Sequence, residues 1–244
     1  MALFDKHTPQ MKSISVVDWV VDFITEAIIS RKLKPGDKLP SEVVLSEKLG
    51  VGRNSIREAI KILATYGILE VRSRTEGTYV CGGFQEKMLD PLIYGIIMEQ
   101  GTGQNIIDLR RIIETGTIQA VIENATENDL KELKVILDEL IYCLNQENAD
   151  PKELLGLDLK FHEKIELSVY NPLLSKVSAI ITKLTMHSRL RTIEVLVDNN
   201  QKQYLIDTHK NIYDVIKSRD GSQVSKVIEQ SFQHWRIVLD GEKD

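Results

Sequence analysis

Two groups of residues have types and spacings that could do chemistry. The first lies in "LGVGRNSIREAI", residues 49–60, where Arg53, Asn54, Ser55 and Arg57 crowd the start of a helical apolar pattern. A helix N-terminus is already electropositive from its unpaired N–H groups, so two arginines there are unfavourable until an external anion meets them. Nucleic acid is such an anion. Arginine can grip a phosphate or hold guanine through a bidentate fork, and asparagine and serine can bond the duplex backbone. The second group lies in "DLKFHEKI", residues 158–165. Asp158 and His162 are four apart and share one helix face, so a carboxylate and an imidazole can converge on one cation.

The first group needs a scaffold, and the flanking sequence supplies one. Residues 14–31 repeat apolar side chains at helical spacing, through Val17, Val20, Val21, Ile24 and Ile28. "KPGDKLP" breaks that helix. In "SEVVLSEKLG", Ser41 is a candidate N-cap and Gly50 a stop, which predicts a short second helix. A third helix puts Ile56, Ala59, Ile60 and Leu63 on one face, opposite Arg53 and Arg57, and ends at Gly67. "ILEVRS" and "GTYVC" flank "RTEG" as a small hairpin. Three helices and a hairpin suggest a winged helix-turn-helix whose third helix enters a major groove.

"CGGFQEKMLD", residues 81–90, reads as a linker. Beyond it the chain reads as nearly continuous helix, over 88–100, 104–124, 127–146, 151–169, 172–197, 199–218 and 221–240. The breaks are short, which implies antiparallel neighbours in an all-α bundle. The expected fold class is mainly α, with a winged helix-turn-helix at 1–80, the linker at 81–90 and a helical domain at 91–244.

Charge follows the same division. The net charge is −5, but residues 1–80 carry about +2 and the rest about −7. Between residues 31 and 74 the excess is about +5. The N-terminal module can therefore meet phosphate without help from the other. No apolar run reaches the roughly 18 residues of a membrane span, and the N-terminus lacks a signal-peptide core. Cys81 and Cys143 are far apart and form no metal-type pair. A reduced, cytoplasmic protein without membrane contact is expected.

The stretch "LKPGDKLPSEVVLSEKLGVGRNSIREAIKILATYGILEVRSRTEGTYV" closely resembles the DNA-binding domain of GntR-type bacterial transcription regulators. The helical remainder resembles the effector domain, of FCD type, found in the FadR subgroup. "DLRRIIE" (108–114), "DLKFHEKI" (158–165), "YNPLL" (170–174) and "THKNIYDVIKSRD" (208–220) carry that likeness. The resemblance implies a homodimeric regulator, most simply a repressor, that binds double-stranded operator DNA and answers to a small carboxylate effector. It implies DNA contacts by Arg53, Asn54, Ser55 and Arg57, and by wing residues Arg74, Thr75, Glu76 and Gly77. Two departures stand out. Val43 occupies a position where an arginine often follows P-S-E, and Gly52 stands where Ser or Thr is common.

In the related domains, the D-x-x-x-H pair and two later histidines hold a divalent metal. His209 matches the first of those histidines. An ungapped reading puts Ser231 at the second, with His234 three residues further on. Three arrangements stay open: a metal on Asp158, His162 and His209 with open positions for water and a carboxylate; a four-ligand site completed by His234; or a metal-free pocket that bonds the effector directly. Zinc, nickel and manganese all suit such N/O ligands. The resemblance also places Arg110 in the effector pocket, where its fork can hold a carboxylate. Arg189 and Arg191 offer a second anion contact, and Ser231 a polar wall. The rival from another class is a metal-dependent enzyme using Asp158, His162 and His209.

Overall fold

The computed structural model describes residues 15–73, 76–99 and 102–233. The chain forms two compact units, Met1–Gly95 and Ile96–Asp244.

In the first unit, Ser15 caps α1 (Val16–Ile29) by accepting from Asp18 N at 3.0 Å. Ser41 caps α2 (Glu42–Leu49) in the same way, and Gly50 ends it at φ +68°, a left-handed conformation open to glycine. α3 (Arg53–Thr65) follows at once. Its buried face is Ile56, Ala59, Ile60 and Leu63, the four expected from the spacing. They close a core with Val20, Ile24, Leu45, Leu69 and Val80. β1 (Leu69–Val71) and β2 (Thr78–Val80) pair antiparallel in the register Leu69↔Val80, Glu70↔Tyr79 and Val71↔Thr78. A bridge from Lys38 to Tyr79 ties this hairpin to the α1–α2 connection. Residues 81–90, expected as a linker, fall inside the first unit. There Leu89 is buried, and Lys87 Nζ donates to Ala64 O at 2.8 Å across the end of α3. α4 (Asp90–Met98) begins in this unit and ends just beyond its boundary.

The second unit is helical throughout its described residues: α5 (Thr102–Asn124), α6 (Glu127–Leu144), α7 (Pro151–Leu167), α8 (Pro172–Asp198), α9 (Lys202–Ser218) and α10 (Val224–Ser231). Phe161, Ile165, Leu137, Ile212, Ile216 and Phe232 form the centre of its main core. The last helix, expected over 221–240, begins at Val224 among the described residues. Asp220 accepts from Ser222 N at 3.0 Å and starts a 3-10 turn, Gly221–Gln223, before α10. Residues after 233 lie outside the described chain. The left-handed Arg219 reaches back to cap α5, its guanidinium donating to Ile122 O at 2.6 Å and Ala125 O at 2.5 Å.

A buried acid locks α6 to α7. Thr126 and Asp129 form a reciprocal capping box, and Asp129 also accepts from Lys164 Nζ at 2.8 Å and from Tyr170 Oη at 2.6 Å. Burial favours the neutral acid, but the hydrogen bonds from Lys164, Thr126 and Tyr170 prevail and hold its pKa below the usual carboxylate range. Asp129→Ala should cost about 2 kcal/mol of stability at pH 7, read by urea unfolding. The Asp129 contribution is present above the unfolded pKa near 4 and is lost as pH falls through the depressed folded value. The gap between wild type and variant should therefore shrink on acidification.

Candidate functional site

In the first unit, the start of α3 presents Arg53, Asn54 and Arg57 to solvent, with Ser55 half-buried. Gly52 is the N-cap and supplies no side-chain bond, so the amides of the first turn keep their capacity for an outside acceptor. Arg57 is not loose. Its Nη2 donates to Glu42 Oε2 at 2.8 Å and its Nε to the same oxygen at 3.1 Å, while its side chain stays 55% exposed. Glu42, the acid of the P-S-E stretch, thus aims an arginine of α3 from the first turn of α2, a role that reading α3 alone does not reveal. In the hairpin, Gly77 adopts φ +94° and a Cβ there would meet Lys38 Cε at 3.0 Å, so the turn itself requires glycine. Arg72 stacks over the Tyr79 ring at 4.2 Å, a further wing cation. Arg74 and Thr75 lie outside the described residues.

In the second unit, Asp158 and His162 on α7 meet His209 on α9. Asp158 Oδ1 is 3.0 Å from His209 Nε2 and 3.6 Å from His162 Nε2. One donor atom from each residue lies within 4.8 Å of the others, which makes a cluster that could hold a metal ion. The donor set suits a cation. His209 Nδ1 is 2.8 Å from Leu205 O, so donation there turns the Nε2 lone pair toward Asp158 Oδ1. A cation between two such lone pairs satisfies both. Burial lowers the His162 pKa to about 4, against the opposing pull of Glu114 and Asp158, so its ring is neutral and able to ligate at pH 7.

Two arginines stand beside this cluster. Arg189 Nη1 donates to Asp158 Oδ2 at 2.6 Å, on the oxygen opposite the one that faces the imidazoles. Arg110 is buried, lies 5.1 Å from the Phe232 ring centre and donates through Nε to Glu114 Oε1 at 2.6 Å. Burial and the charge of Arg189 lower the Arg110 pKa to about 10, still fully charged at neutral pH. Burial raises the Glu114 and Asp158 pKa values, but neighbouring positive charge outweighs it and both fall below normal, Asp158 well below. Ser231 lines the same cavity and donates to Ile228 O at 2.8 Å, so the expected fourth position is polar and inward. The cavity holds about 30 Å³, room for a water or two but not for an organic acid beside the present side chains.

The outcome for the expected residues is mixed. Arg110, Asp158, His162, Arg189, His209 and Ser231 all line this cavity. Arg191 does not; it is exposed and 3.5 Å from Glu194. His234 lies outside the described residues. Glu114 went unnoticed as a pocket residue, although its position four after Arg110 was the available signal. Glu166 was also missed. With Glu114 and His162 it lines a smaller adjoining cavity, and burial together with the charge of Glu114 pushes its pKa up to about 7. A raised carboxyl stabilises the fold fully below its unfolded pKa near 4.5, and that stability is lost as pH rises through 7. Glu166→Gln should therefore raise stability at pH 8 by about 1–2 kcal/mol, after allowance for partial exposure. Little change is expected at pH 4.5, and thermal melts at the two values check both.

Comparison with known proteins decides what these two units are. Residues 17–80 match "Bacterial regulatory proteins, gntR family", and residues 105–234 match the "FCD domain". The chain belongs to the GntR family, in its FCD-domain branch. It is a sequence-specific DNA-binding transcription regulator, and its family and relatives are regulators rather than enzymes. The reading of Asp158, His162 and His209 as an enzyme's metal centre is thereby set aside. The chain is 27% identical over 213 residues to the galactonate operon transcriptional repressor of Escherichia coli, covering 86% of this chain and 90% of that one. It is 26% identical to the HTH-type transcriptional regulator LutR of Bacillus subtilis, covering 86% of this chain and 94% of the relative. A solved GntR structure from Streptococcus agalactiae aligns with a TM-score of 0.58 at 25% identity, over 91% of this chain and 99% of that one. No helix among the described residues of this GntR-family chain is long and apolar enough to cross a membrane.

Proposed function

We propose that this GntR-family chain is a homodimeric cytoplasmic repressor whose hold on operator DNA is relieved by a small carboxylate bound in the helical unit. The single observation that carries the reading is the convergence of Asp158, His162 and His209 beside two buried arginines. A divalent ion of the zinc, nickel or manganese kind fits those three ligands, with positions left for water and an acid oxygen. Arg110 and Arg189 then hold the acid's carboxylate, and Ser231 bonds its hydroxyl groups. The galactonate operon repressor among the relatives makes sugar acids and small hydroxy acids the first class to try.

On the DNA side, the N-terminal residues 1–80 bind the operator and residues 91–244 sense and dimerise. Arg53, Asn54, Ser55 and Arg57 read a major groove, and the wing around Arg74, Thr75 and Gly77 touches the adjacent backbone. Two copies place two such helices on a palindromic site. In the second unit, exposed Ile97 on α4 and Leu109 and Ile112 on α5 supply apolar surface that a second copy would cover.

A thermal-shift panel of small carboxylates on chelator-stripped protein, with and without zinc, nickel or manganese, tests the pocket. A ligand that binds only the folded state raises the melting point with concentration. A shift that needs both metal and acid supports the metal-bridged sensor. A shift with acid alone makes Ser231 a true loss of the metal site. No shift with any acid removes the effector reading.

A further inference from the structure

We propose that Glu114 is an internal stand-in for the effector's carboxylate: it occupies the pocket arginines and is displaced when an acid binds. The inference rests on the carboxylate pocket proposed above. Glu114 Oε1 lies 2.6 Å from Arg110 Nε and 3.5 Å from Arg189 Nη2, so one oxygen engages both guanidinium groups. A bound carboxylate would need an oxygen on the same two guanidinium groups. The cavity of about 30 Å³ leaves no space for a second carboxylate on the same groups. An acid therefore reaches Arg110 Nε and the Nη2 edge of Arg189 only as Glu114 gives them up, while Arg189 Nη1 stays with Asp158. The displaced side chain has somewhere to go, because the same Oε1 is already 3.9 Å from His162 Nδ1. A short swing makes it the acceptor for that ring N–H, which fixes the tautomer with Nε2 facing Asp158. Glu114 thereby links arrival of the acid to the orientation of a metal-ligating histidine, and its strength as a competitor sets which acids the pocket accepts.

The test is acetate affinity of the full-length, zinc-loaded protein, by calorimetry, for wild type and Glu114→Gln. The amide keeps the shape and an accepting oxygen but loses the charge, so it competes less well. Acetate should bind the variant tighter on the order of tenfold, the size of one charge-assisted hydrogen bond. Equal or weaker binding to the variant overturns the stand-in role while the carboxylate pocket itself survives. Acetate binding to neither protein overturns the pocket, and the stand-in with it. Should the amide variant not fold, Glu114→Asp, which withdraws the carboxylate by one methylene, carries the same comparison. Glutamate serving only as a structural partner of Arg110 would lower the melting point in either variant without tightening acetate.

Discussion

Replacing Arg57 with alanine should weaken operator binding by about 1–3 kcal/mol, a loss of roughly 5- to 150-fold, if the side chain reads a base edge. The structure sharpens this expectation. Arg57 is presented on α3 by a bidentate pair with Glu42, so its guanidinium is oriented before DNA arrives. An exposed pair of this kind contributes little to stability, and Arg57→Ala should leave the urea midpoint nearly unchanged. Glu42→Gln keeps the arginine but loosens its aim, and should weaken binding less than the alanine does. A salt series on both variants separates the two kinds of contact. Loss of a phosphate contact reduces the salt slope by about one and weakens all sequences alike, whereas loss of a base contact relaxes specificity at one position. Full operator affinity in Arg57→Ala would remove this residue from the reading set.

His162→Ala should abolish the response to metal and acid while leaving basal operator binding intact. Loss of one of three protein ligands should weaken zinc binding on the order of 100-fold or more, measurable by competition with a chromogenic chelator. The choice of residue matters. Asp158→Asn would take away the buried carboxylate that Arg189 holds at 2.6 Å, leaving only Glu114 at 3.5 Å, at a cost of about 3 kcal/mol to the fold, and so confuse misfolding with loss of the site. His162 is neutral at pH 7 and sits at the 14%-exposed rim of the cluster, so its removal strands no charge. A variant that still releases operator with an acid would remove His162 from the sensing site.

Local sequence settled most of the DNA-binding unit. The caps Ser41 and Gly50, the inward face Ile56, Ala59, Ile60 and Leu63, and the hairpin around Gly77 are all short-range decisions, made by side chains within a few residues of the backbone they direct. The Asp158–His162 pair was visible for the same reason, since four residues is one helical turn. His209 needed the family likeness, because nothing local links it to a helix 51 positions away. The partners of the charged groups belonged to tertiary packing alone. Arg110 looked equally able to serve as a surface residue paired with Glu114 or as a buried fork, and it proves to be both paired and buried. Glu114, Arg189 and Glu166 take on their roles because α5, α7 and α8 bring like and unlike charges together away from water. There burial and the neighbouring charges together move the pKa values of Glu114 and Glu166. Periodicity tells which side of a helix faces inward; which charges meet there depends on the helices packed against it.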